Sequence, residues 1–207
     1  MFEDLVCNTD IVWSEKYPDP RAKIYWDMES HRIFYINSEI DEDVLSILSS
    51  IIEINYQDYG IEPEERKPII IMINSPGGLL QETFSLCDAI IGSKTPVYTV
   101  NIGSAMSGAF LILLSGHKRF ALKHSFAMVH SGGGNISGTF EQSEAAQAVF
   151  RKQVAQMKEH ILKYANIDEK VFKRNQSKDW YMDSDEQLKN GVVDVILENL
   201  DEIIEEA

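Results

Sequence analysis

The chain has 207 residues, 44% hydrophobic and 10% aromatic, enough to bury the core of one ordinary domain and too apolar for a mainly disordered polymer. Its formal net charge of −14 excludes nucleic acid and anionic membrane surfaces as partner classes, because both demand a positive stripe. Cys7 and Cys87 are too few and too far apart for a disulfide framework or a zinc site; they fit free thiols in a reducing compartment.

No metal and no cofactor is expected from this composition. The N-terminus lacks a basic region followed by an apolar one, and no stretch approaches the length of a membrane span, so the expectation is a soluble, cytoplasmic protein.

Residues 1–30 mix polar and aromatic side chains around Pro18 and Pro20 with no sustained period, the pattern of an N-terminal arm. The segment 32–37 reads as a strand. Residues 40–55 then space Val44, Leu45, Leu48, Ile51, Ile52 and Ile54 at helical intervals behind Asp41, Glu42 and Asp43. The run 68–74 is too uniformly apolar for a half-exposed strand and predicts a central parallel one. Ser75-Pro76-Gly77-Gly78 turns the chain into a helix over 79–91, and the pattern repeats with a strand at 97–101 and a helix at 109–114. Paired strand–turn–helix units imply an α/β fold with right-handed parallel connections.

Strands are expected at 119–122 and 125–130, followed by a glycine-rich segment, 131–138. Thr139 with Gln142 forms a capping box that opens a long helix, to about 164. Ala145, Ala148, Val149, Val154, Met157, Ile161 and Leu162 make only an imperfect stripe along it. A helix this long stands off a small domain, so it is expected to pack against another subunit. A short helix at 168–174, an extended piece at 179–182, a capping box of Ser184 with Gln187 and a strand at 192–197 complete the pattern. The organisation predicted is an arm (1–30), one folded domain (31–198, its long helix at about 139–165) and a peripheral acidic tail (199–207).

Ser107 lies where the strand pattern gives way to a buried apolar run, among Gly103, Ala105 and Gly108. Such a turn lifts a hydroxyl into a cleft, beside helix-start N–H groups able to stabilise an oxyanion; the plainer role for a serine there is an N-cap. A serine nucleophile needs a base. His31 lies at the border of the arm region, His160 on a charged face of the long helix, and His117 and His124 at loop positions, whereas His130 closes an apolar strand, where open α/β sheets form clefts. A carboxylate should orient the imidazole. Asp179 is attractive, and Asp183, Asp185 and Asp194 remain alternatives. Gly77 and Gly78, directly after the central strand, can present bare N–H groups as half of an oxyanion hole.

Taken together, Asn74-Ser75-Pro76-Gly77-Gly78, the Gly103 to Ser107 turn and Met128-Val129-His130 resemble the proteolytic subunit of the bacterial Clp protease, from about residue 32 to 197. The resemblance implies a crotonase-like fold of repeated β-β-α units, with Ser107 as nucleophile, His130 as base, Asp179 as third member, and the N–H groups of Gly78 and Gly108 as oxyanion donors. It implies hydrolysis of peptides or unfolded proteins inside a homo-oligomer of two stacked heptameric rings, a tetradecamer. The long helix would be the handle joining the rings, the glycine segment would border the substrate groove, and a Clp-type ATPase would be a partner for large substrates.

Several positions depart from the family. Gly108 follows Ser107 where a bulky residue is usual, and an alignment on Gly108-Ala109-Phe110 would place Met106 in the nucleophile slot; the count from Asn74 favours Ser107. The Ser107-Gly108 pair is also similar to the signal-peptide peptidases. Ser131-Gly132 replaces a Gln-Pro pair, and Ile70 and Met72 stand where the family alternates aromatic residues for ATPase docking. The rival readings are a weak or inactive ring subunit kept for its interfaces, and an acyl-CoA enzyme, which needs the oxyanion donors but no serine.

Overall fold

The computed structural model describes residues 20–134, 137–175 and 177–205. Its helices are α1 (Pro20–Ser30), α2 (Leu45–Gln57), α3 (Leu80–Gly92), α4 (Gly108–Ser115), α5 (Phe140–Tyr164), α6 (Glu169–Asn175), α7 (Ser184–Lys189) and α8 (Asp201–Glu205). The strands are β1 (Ile33–Ile36), β2 (Ile69–Ser75), β3 (Val97–Met106), β4 (Lys118–Leu122), β5 (Phe126–Val129), β6 (Trp180–Met182) and β7 (Val195–Leu197). They form one mixed sheet in the order β1-β2-β3-β4-β7, all parallel, from which β5 branches off β3 and carries β6 antiparallel. This is the α/β architecture expected, built on strand–helix–strand crossovers.

The uniformly apolar β2 is explained by burial on both faces. Ile69, Ile71 and Ile73 enter the main core with Leu86, Ile90, Phe110 and Leu113, whereas Ile70 joins Val100, Phe120, Leu197 and Ile203 in a second cluster on the opposite face. α4 is apolar all round and wholly buried, which lets the turn before it be held from every side.

β3 changes partner along its length. Tyr98–Asn101 pair with β4 and Ser104–Met106 with β5. Buried Asn101 holds the fork: its amide donates to the Phe126 carbonyl at 3.0 Å and to Gln187 Oε1 at 2.9 Å, while its Oδ1 accepts from the Gly103 N–H at 3.3 Å. The fork aims the ends of β3 and β5, and hence Ser107 and His130, at the same point.

Four expectations are corrected. Residues 20–30 of the arm form α1, which starts with proline at its first position, where the missing N–H does no harm; Tyr25 on it packs edge-on against Tyr35 with centroids 5.6 Å apart. The second capping box belongs to Asp183 and Glu186, because Ser184 donates instead to the Lys123 carbonyl and Gln187 is buried against Asn101. The last strand is shorter than expected, with Val192 and Val193 buried ahead of it in a turn. The tail is not peripheral throughout, since Ile203 is buried against the sheet. The readings of 1–19, including Cys7, and of residues 135 and 136 lie outside the described residues.

α5 follows the sequence reading, capping box included. Its 25 residues span about 37 Å. Only Met157 and Ile161 are buried, while Ala145, Ala148 and Val149 are exposed. The imperfect stripe therefore covers the core with its C-terminal half alone. Among the described residues no helix is long and apolar enough to cross a membrane.

Candidate active site

Ser107 ends β3 and precedes α4 with φ +53° and ψ −116°, a backbone conformation that a side-chain-bearing residue rarely adopts. Its N–H donates to the Met128 carbonyl at 2.9 Å, tying the turn to β5. Met106 remains in register with Met128 inside the sheet, so the first residue beyond the paired register is Ser107. Its Oγ lies 2.8 Å from Nε2 of His130, the residue after β5. His130 Nδ1 stands 3.6 Å from Asp179 Oδ1, an ion-pair separation longer than a hydrogen bond. Asp179 enters β6, the strand antiparallel to β5, and its side chain is 59% exposed.

The other candidates lie elsewhere. Asp183 caps α7, Asp185 pairs with Lys123 at 3.1 Å, and Asp194 accepts from the Arg119 N–H and Nε. His31 and His124 are exposed, and His117 accepts the Val97 N–H at 2.8 Å. Burial is the main cause that lowers the His117 pKa from the usual histidine value.

The glycine turn after β2 meets the serine turn at van der Waals range. Gly77 has φ +94°, and a Cβ there would stand 2.5 Å from the Met106 carbonyl and 2.7 Å from Ser107 Cβ; only glycine fits both constraints. Gly78 is clamped by Ile40, whose N–H donates to the Gly77 carbonyl and whose carbonyl accepts from the Leu79 N–H. Among the described residues the N–H groups of Gly78 and Gly108 meet no acceptor, and the Gly78 nitrogen is 3.5 Å from where a Gly108 Cβ would be. Two unspent donors thus adjoin one hydroxyl. Buried Ser75 holds the turn from below, donating to the Ser38 carbonyl and accepting from the Gly77 N–H.

A sequence model of the Clp protease family matches residues 19–200. The chain belongs to the Clp protease family. Among its curated relatives, an ATP-dependent Clp protease proteolytic subunit of Carsonella ruddii is 30% identical over 178 residues, 84% of this chain and 88% of the relative. The ATP-dependent Clp protease proteolytic subunit 2 of Treponema denticola is 30% identical over 141 residues, 67% of this chain and 70% of the relative. Membership makes the chain a serine peptidase of the Clp type.

Within this Clp-family chain, Gly108 has a local reason for lacking a side chain: a Cβ would meet Thr83 Oγ1 at 2.5 Å and Ile40 Cδ1 at 3.3 Å. Space that a bulky residue would need is already taken by α3. Thr83 carries no signal in the sequence, because a threonine in a helix indicates nothing until its neighbour is known. His160 also takes an unforeseen role. It is half-buried, with Nε2 3.2 Å from both Ser115 Oγ and the Leu111 carbonyl. Ser115 spends its own proton on that carbonyl at 2.8 Å, so Nε2 of His160 is the donor, and α5 is pinned to α4. Among the described residues no cluster of metal-ligating side chains occurs.

Proposed function

We propose that this chain hydrolyses peptide bonds by acylation at Ser107. His130 Nε2 takes the hydroxyl proton as Oγ attacks the carbonyl carbon, and returns it to the leaving amine as the bond breaks. Water then attacks the acyl-enzyme by the same route reversed. Asp179 stabilises the imidazolium at Nδ1, and the N–H groups of Gly78 and Gly108 receive the oxyanion. The observation that carries this reading is the 2.8 Å contact between Ser107 Oγ and His130 Nε2 on a positive-φ turn flanked by unspent donors. An acyl-CoA enzyme would have no use for that hydroxyl–imidazole pair, and an interface-only subunit has no need of it.

The finer proposal is that the subunits assemble as two stacked heptameric rings enclosing the sites, joined through α5, and that a Clp-type ATPase delivers large substrates. The exposed first half of α5 supports the first part, and the ATP-dependent relatives support the second. The glycine segment beyond His130 fits a groove wall, since Gly133 and Gly134 face open space and a peptide backbone can approach them.

A fluorophosphonate tests the chemistry directly. Its mass should appear on Ser107 of the wild type and on no residue of Ser107→Ala. A folded wild type that stays unlabelled overturns the proposal.

A further inference from the structure

Beside His130, on the side of Ser131, a cavity of about 180 Å³ opens between the C-terminal half of α5 and α6. Val154, Met157 and Phe172 form its apolar wall, and Arg151 and Lys158 complete the lining. Met157 and Phe172 are buried, so the wall is fixed by the core. A Cβ on Gly132, which follows Ser131 of the lining, would make ordinary contact with the Phe150 ring at 3.5 Å and Met157 Sδ at 3.8 Å. The cavity therefore adjoins the general base and a backbone segment suited to bind an extended chain.

Its charge is opposite to that of the molecule as a whole. Among the described residues no acidic one lines it, although the chain carries 33 acids against 19 lysines and arginines. Lys158 shares Glu169 with Lys173, at 2.8 and 3.2 Å, so this trio keeps one net positive charge. Arg151 makes no ion pair with any described residue, and its side chain is free to serve something else. A guanidinium beside an apolar wall matches a side chain with a methylene stem and a carboxylate head, which it can bind through two parallel N–H donors.

The geometry points to this cavity as a specificity pocket that selects an acidic side chain, glutamate above all, next to the scissile bond, with Arg151 as the selecting residue. The inference rests on the reading of Ser107 and His130 as nucleophile and base. In the bound peptide the glutamate stem lies along Val154 and Met157, and its carboxylate reaches Arg151. Glutamine fills the same space without the charge. Lysine meets two cations.

The test uses internally quenched peptides that differ at one residue on either side of a single cleavable bond, with Glu, Gln, Leu or Lys at that place. Rates are taken per serine titrated with fluorophosphonate, and the cleaved bond is read by mass spectrometry. The expected result is kcat/KM at least tenfold higher for Glu than for Gln and no higher for Leu than for Glu, with the Glu-to-Gln ratio falling to about one in Arg151→Gln. Arg151→Glu should favour Lys over Glu. A wild-type Glu-to-Gln ratio near one, a faster Leu peptide, or a ratio unchanged in Arg151→Gln overturns the pocket while serine labelling upholds the peptidase. Absence of both labelling and cleavage overturns the two together.

Discussion

At position 108 the reaction and the packing compete for the same few ångströms. In the proposed reaction the Gly108 N–H faces the substrate oxyanion, while a Cβ on the same residue would stand 2.5 Å from Thr83 Oγ1 of α3. Gly108→Ala should therefore destabilise the fold by about 1–3 kcal/mol through overpacking and slow Ser107 labelling, because the turn must tilt to relieve a 2.5 Å contact. Thr83→Ala removes the offending oxygen, so the double variant should recover most of the stability lost by Gly108→Ala. Thermal denaturation of the two single variants and the double variant measures that coupling; purely additive losses would show that the hydroxyl is not the obstacle. Ser107, His130 and the Gly77–Gly78 turn could be singled out in the sequence because each breaks a local apolar pattern at a strand end. Thr83 and His160 could not, since their roles arise from what approaches them from distant parts of the chain.

Between elements, the sharpest electrostatic joint is Asp58 at the end of α2, with a side chain only 5% exposed. Arg32, just before β1, donates to both of its oxygens at 2.7 Å, and Thr95 donates a third bond at 2.9 Å. Hydrogen bonding from Arg32 is the main cause that holds the Asp58 carboxyl below its usual pKa, against the opposing effect of burial. A carboxyl with a depressed folded pKa contributes stability above its unfolded value, about 3.9, and loses that contribution as pH falls through the folded one. Asp58→Asn should cost about 2–4 kcal/mol at neutral pH by leaving Arg32 without its counter-charge. It should also flatten the acid limb of the stability curve below about pH 4.

His160 acts in the opposite range. Burial against α4 is the main cause lowering its pKa from the usual histidine value, so the unfolded chain takes up the proton first. Stability should thus fall as pH drops below about 6.5. His160→Gln, which can still donate to Leu111, should reduce that slope in denaturant titrations between pH 8 and pH 5; His117, also lowered by burial, contributes in the same direction. An unchanged slope would show that His160 charges freely in the folded state. The elements themselves were legible wherever period and length agreed, as in β2, α2 and α5. α1 leaves no trace in the sequence pattern because its apolar residues fall on no single face, and the α7 cap reads one residue late because Asp183 and Ser184 both suit the position until Lys123 claims the serine.

For the whole molecule, one surface that a monomer does not explain is the first half of α5. From Phe140 to Val149 every residue except Ser143 is exposed, and Phe140 and Val149 are 73% and 56% accessible. A monomer gains nothing from holding a Phe and a Val on a helix that projects past its own core. The ring-joining role proposed for this helix gives those residues a partner surface, contributed by a second copy. Each copy also carries −14, so assembly must overcome like-charge repulsion, which salt screens: the Debye length falls from about 30 Å at 0.01 M to about 8 Å at 0.15 M. Native mass measurements should accordingly show the largest assembly gaining population as salt rises over that range. Phe140→Glu with Val149→Glu should halve the assembly mass at 0.15 M and leave circular dichroism unchanged, because neither side chain touches the core. A double variant of undiminished mass would place the joint between subunits on another surface. A mass that falls with added salt would mean that ion pairs, rather than apolar contact, hold the copies together.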